Sequence, residues 1–143
     1  MWHDDAKARE KVGKDAEREF ENEVKCSCGG KFDFIGDRYA GCPDYTCEIC
    51  GQLVDVKSSP QAEQTGNLAV SVIPWGKYPD ELLLVTRIRG TWIGEYKQNI
   101  SIVSSNNSPT HNSTNTPYKN TSFHLISWKK FKKLQSLGFK VKP

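Results

Sequence analysis

Two carboxylates and an ammonium group stand at a spacing suited to phosphodiester chemistry: Pro43-Asp44, ten residues, then Asp55-Val-Lys57. The run Leu53-Val-Asp-Val-Lys57 is short and β-branched, which predicts a strand. On a strand, Asp55 and Lys57 share one face while Val54 and Val56 point the other way, into a core. An acid and a lysine on a buried strand are costly unless they pair or bind something. Asp44 lies eleven residues before Asp55, about the length needed to round a hairpin and return beside it. Two converging carboxylates make a hard, oxygen-rich site suited to Mg2+ or Mn2+. Such an ion polarises a phosphodiester and lowers the pKa of a bound water. Lys57 would orient or help activate that water, or stabilise the charge that builds up in the transition state. The plainer alternative is an Asp–Lys pair on an edge strand, with Pro-Asp a mere turn.

A second chemistry is interleaved with the first. Cys26-x-Cys28-Gly and Cys47-x-x-Cys50-Gly each place a glycine directly after the second cysteine. Zinc takes four thiolate or imidazole ligands in a tetrahedron, and a tight turn of this kind supplies two. The glycine permits the backbone conformation the turn needs. All five cysteines of the chain fall within 25 residues, so a zinc site explains them better than scattered structural thiols. The first half-site is one residue short of the usual spacing, and Cys42 is a fifth candidate able to displace Cys26 or Cys28. Four thiolates leave no position for water, so the expected role is structural: to staple a hairpin with little core of its own.

The elements that must position these groups follow from periodicity. Residues 4 to about 24 read as a helix, with Val12, Ala16, Phe20 and Val24 every fourth position. Gly13 is a weak point, which offers an alternative helix start near it, after a looser arm. Glu17, Glu19 and Glu23 flank its apolar stripe, within reach of a site at the core edge, whereas Glu10 and Glu21 read as solvated. Lys31–Ile35 alternates as a strand, with Gly36-Asp37 as a two-residue hairpin turn. Further strands are expected at 68–73, 81–88, 91–96 and 123–126, with a loop around Pro74, Gly76 and Pro79. Residues 104–122 turn to Ser, Asn, Thr and Pro, which predicts a flexible loop. Ser127 reads as the N-cap of a last helix carrying Trp128, Phe131, Leu134 and Leu137 on one side and Gly138 past its end.

The order of these elements resembles the PD-(D/E)XK nuclease superfamily, in which a helix carboxylate, a Pro-Asp and an acid-x-Lys strand follow one another. Gly13-Lys-Asp-Ala-Glu17-Arg-Glu-Phe20 is similar to the Gly-x-x-x-Glu-Arg-Glu-Leu opening of archaeal-type Holliday junction resolvases. Val54-Asp-Val-Lys-Ser58 is similar to their Ile-Glu-Val-Lys strand, with Asp for Glu. The resemblance covers about residues 12 to 58; the cysteine cluster and the second half depart from it. It implies an α/β fold, a restriction-endonuclease-like mixed sheet flanked by helices, here with a zinc-stapled β-hairpin. It also implies a Mg2+-dependent endodeoxyribonuclease leaving a 5′-phosphate. Asp44 and Asp55 would hold the metal, Glu17 would assist, and Lys57 would act with the attacking water. The choice of Glu17 comes from the resemblance; periodicity alone favours Glu23. Branched or junction DNA is the first substrate expected and restriction-like duplex cleavage the second, both suited to a homodimer because paired cuts need two sites. A non-catalytic zinc-ribbon nucleic-acid-binding module is the alternative from another class.

Whole-chain properties set the bounds. At 143 residues a single domain is expected, large enough for a real core. The net charge of +3 is modest and does not by itself mark a nucleic-acid binder. The last sixteen residues, however, carry six lysines and no acid, which in a nuclease are natural phosphate contacts. No apolar run approaches membrane-spanning length and no secretory signal opens the chain, so an intracellular, reducing setting is expected. The Asn-x-Ser/Thr matches at Asn99, Asn106, Asn112 and Asn120 then read as chance products of a polar segment. His3, His111 and His124 are isolated and fit packing or solvent roles. Trp75, Tyr78, Trp92 and Tyr96 suit core packing better than base stacking, and Gln61 and Gln64 are weak candidates for DNA contacts.

Overall fold

The computed structural model describes residues 5–58, 62–108 and 121–143. Helix α1 (Asp5–Glu23) leads into β1 (Val24–Lys25), and the short strands β2 (Phe32–Phe34), β3 (Tyr45–Cys47) and β4 (Leu53–Lys57) form an antiparallel meander. A crossover follows through α2 (Ala62–Thr65), β5 (Asn67–Ser71) and α3 (Val72–Lys77). The chain then returns as β6 (Leu83–Ile88), parallel to β4 with Asp55 beside Leu84. Strand β7 (Thr91–Tyr96) pairs antiparallel with β6 across Arg89-Gly90. Both turn residues have positive φ, 50° and 81°, the twist that a two-residue hairpin favours. Strands β8 (Ile102–Ser108) and β9 (Thr121–Ser127) join β5 in a three-stranded sheet. Finally β10 (Lys132–Lys133) pairs with β7, and β11 (Lys140–Val141) with β1.

The product is a mixed α/β arrangement around a six-stranded sheet of order β10-β7-β6-β4-β3-β2. Side chains alternate along β6, so the sheet buries both faces. Leu83 and Val85 join Val54, Val56, Trp92 and α1's Phe20 on one side. Leu84 packs on the other with Leu68, Val70, Trp75 and Ile126 of the crossover and the small sheet. Phe20 is fully buried and meets Phe32, Tyr45 and Trp92 at ring distances of 5.1–5.6 Å, which fixes α1 on the sheet. No helix among the described residues is long and apolar enough to cross a membrane.

Several expectations need correction. The last helix does not form: Lys132–Lys133 is an edge strand, and Leu134–Leu137 is one 3-10 turn ended by Gly138 at φ 92°. Trp128, Phe131, Leu134 and Leu137 are spaced by threes, which drifts around an α-helix. Instead they serve two cores, Leu134 and Leu137 on the α1 side and Trp128 and Phe131 on the other. Gly36-Asp37 is no two-residue hairpin, because residues 35–44 together join β2 to β3. The segment around Pro74 and Gly76 is α3, not a loop. Part of the expected 104–122 loop is strand, since Ser104–Ser108 pairs with Thr121–Leu125. The rest of that loop, His3, His111, Asn112, Asn120 and Gln61 lie outside the described residues. Helix α1 also runs through Gly13 rather than starting there.

Candidate metal centres

The carboxylate group forms where β3 ends short of β4. The register pairs Tyr45 with Val54, which leaves Val56 opposite Pro43, beyond the last rung of the ladder. The Val56 N–H donates instead to Asp44 Oδ2 at 2.8 Å, so Asp44 replaces the missing strand partner. Asp55, 2% exposed, lies 3.1 Å from Lys57 Nζ through Oδ2 and accepts from the Tyr78 hydroxyl through Oδ1 at 3.4 Å. That Oδ2 atom is buried, and the Lys57 ammonium is its charge partner. Lys57 keeps about a third of its side chain exposed (32%).

Electrostatics tie Glu17 to this group. Burial first, then the charge of Asp55, raises the Asp44 pKa to about 8, against the Val56 hydrogen bond and Lys57. Glu17 is also raised, by burial and then by Asp55. Burial works against the charged form of Lys57, but the carboxylates of Asp55, Asp44 and Glu17 outweigh it and raise its pKa. These shifts describe buried carboxylates whose mutual repulsion one cation does not fully offset.

The other helix acids go elsewhere. Glu23 accepts from Trp92 Nε1 at 3.2 Å and lies 3.7 Å from Arg87, which also pairs with Glu19 at 2.8 Å. Glu21, expected to be merely solvated, accepts the hydroxyl of fully buried Tyr45 at 2.9 Å. Sequence reasoning missed Tyr78 as a neighbour of Asp55. It lies 23 residues further on in a segment read as loop, and no local pattern joins the two. Trp75 and Trp92 are buried in the cores, in keeping with packing rather than stacking on bases. His124, half-buried, meets Ser105 at 2.6 Å across β8 and β9.

The cysteine group is tighter. The sulfurs of Cys26, Cys28, Cys47 and Cys50 all lie within 4.8 Å of one another. Cys26 and Cys50 approach to 3.5 Å, and Cys28 and Cys47 to 3.4 Å. A zinc tetrahedron with bonds of about 2.3 Å sets its sulfurs about 3.8 Å apart, so these four are placed to hold a metal ion such as zinc. Two turns build the site. Gly29 donates to the Cys26 carbonyl at 2.8 Å, Gly51 to that of Cys47 at 3.1 Å, and both glycines have positive φ. Gly30 must stay small, since a Cβ there would stand 2.7 Å from Cys47 Sγ. Burial opposes ionisation of Cys47, yet N–H groups of Cys50 and Ile49 lower its pKa to about 7; burial pushes Cys26 up to about 12. Cys42 is buried but stands outside the cluster, beside Tyr39.

No known family model matches this sequence. No curated protein matches it significantly either. The chemistry of the side chains therefore carries the functional reading. Among the described residues, the four cysteines are the set of three or more metal-ligating groups drawn this close together. Asp44, Asp55 and Glu17 do not form such a set; Asp55 pairs with Lys57, and the charges of all three act on that lysine.

Proposed function

We propose that this protein is a divalent-metal-dependent endodeoxyribonuclease of the PD-(D/E)XK kind, with a structural zinc on its cysteine cluster. The observation that carries the reading is the largely buried group Asp44, Asp55 and Lys57, with Glu17 electrostatically coupled to it and the Lys57 side chain partly exposed. Its donor set suits Mg2+ or Mn2+. Asp55 Oδ2 is buried against the Lys57 ammonium, and burial, then the neighbouring carboxylates, raises the pKa of Asp44 and Glu17, a cost that a bound cation would offset. Asp44 and Asp55 would hold the ion, with Glu17 assisting. Once bound, the ion supplies Lewis acidity toward the phosphodiester and a more acidic water. Lys57 remains charged, and its amine would steady that water and the developing negative charge.

A restriction-endonuclease-like reading of the fold has similar support. Helix α1 precedes the β2-β3-β4 meander, a crossover leads to a parallel neighbour of β4, and the site groups follow the order helix Glu, Pro-Asp, Asp-x-Lys. The substrate we favour is branched DNA, then duplex, cut to leave a 5′-phosphate by a homodimer.

The test incubates a four-way junction and a linear duplex with the protein in Mg2+ and in EDTA, beside Lys57→Ala and Asp55→Asn. Mg2+-dependent cleavage by the wild type, lost by at least 100-fold in both variants, is the expected result. DNA that is bound but uncut would instead favour a zinc-ribbon binding module.

A further inference from the structure

We propose that Tyr78 is a positioning residue for the carboxylate site: its hydroxyl fixes Asp55 Oδ1, so that Oδ2 is the oxygen presented to a divalent cation. The inference rests on reading Asp44 and Asp55 as that cation's ligands. Asp55 is 2% exposed, so water does little to orient its carboxylate, and its two oxygens have different surroundings. Oδ1 takes the Tyr78 hydroxyl at 3.4 Å, while Oδ2 faces the Lys57 ammonium at 3.1 Å. A phenol has one proton to donate, and here it goes to the carboxylate.

Tyr78 is itself held from several directions. Its N–H donates to the Pro74 carbonyl at 2.9 Å, ending α3. Its own carbonyl accepts from Lys97 Nζ at 2.7 Å. Its ring, 9% exposed, meets Trp75 edge-on at 6.4 Å, and Lys97 lies over that indole at 5.6 Å. The hydroxyl is therefore a fixed reference point, delivered from the crossover to β4. Partners that orient a ligating carboxylate typically contribute 10- to 100-fold to metal affinity.

The experiment uses the full chain and its Tyr78→Phe variant, which keeps the ring in place. Mn2+ binding is titrated directly by electron paramagnetic resonance, with zinc content measured in parallel. The expected result is an Mn2+ affinity about 10-fold weaker in Tyr78→Phe with zinc unchanged, and cleavage that recovers at higher Mn2+. Equal Mn2+ affinity in the two proteins overturns the role of Tyr78 alone. A wild type that binds no Mn2+, or an Asp55→Asn variant that binds as tightly, overturns the carboxylate-site reading and this inference with it.

Discussion

At Asp44 two demands meet: one oxygen completes the edge of β4 through the Val56 N–H, and the carboxyl lies buried beside Asp55 and Glu17. The second demand has a measurable consequence. Its pKa stands near 3.8 in an ordinary setting and near 8 here, so between these values the folded chain holds a proton that the unfolded chain has lost. The associated stability of the metal-free protein is fully present below about pH 4 and is lost as pH rises through about 8. A divalent cation competes with that proton, so added Mg2+ should raise the melting temperature more at pH 8.5 than at pH 5. Asp44→Asn should abolish both effects, with the zinc contribution cancelling in the difference between the proteins. A pH-independent difference between wild type and Asp44→Asn would contradict this account.

Much at this scale was legible in the sequence. The two-residue spacing of Asp55 and Lys57 placed them on one face, and the glycines after Cys28 and Cys50 announced their positive φ. Glu17 against Glu23 was not legible from periodicity. The difference depends on where Trp92 and Arg87 stand on a hairpin about seventy residues away.

Among the elements, β3 links the two candidate metal centres. It is three residues long, Tyr45–Cys47, with Asp44 just before it and a cysteine ligand at its end. So short a strand has little pairing of its own, and the cysteine cluster fixes its far end relative to β2 and β4. Cys47→Ser should therefore lose zinc and either unfold or lose most activity, although it touches no carboxylate. Cys42→Ser should keep its zinc, because Cys42 stands outside the cluster. Zinc content and circular dichroism of the two variants measure this, and a zinc-free Cys47→Ser protein with full activity would refute it.

Strands with β-branched runs, such as β4 and β6, were readable because local pattern and tertiary role agree there. The C-terminal segment was not. Its apolar residues fill two separate cores, so a pattern that mimicked one helix face reports two directions of burial. Similarly, Ser104–Ser108 reads as polar loop but pairs with β9, since an exposed edge needs backbone partners rather than apolar side chains.

For the whole molecule, one sheet positions both candidate centres. Its α1 face carries the helix whose Glu17 feels the charge of Asp55, and its opposite face carries the crossover that supplies Tyr78. The turns at the end of the meander hold the cysteines. The lysines of the last sixteen residues are mostly exposed on β10, β11 and their flanks rather than along a helix. Phosphate contacts would therefore come from strand edges and turns. Two metals in one meander, one on thiolates and one on carboxylates, would make the molecule a zinc-stapled nuclease. Anomalous diffraction from crystals soaked in Mn2+ tests it most directly, with data on either side of the zinc edge. The account predicts a zinc peak among the sulfurs of Cys26, Cys28, Cys47 and Cys50, and a separate manganese peak between Asp44 and Asp55 that is absent from Asp55→Asn. An intact zinc peak with no manganese between the two aspartates would contradict the nuclease reading and leave a zinc-stapled binding domain.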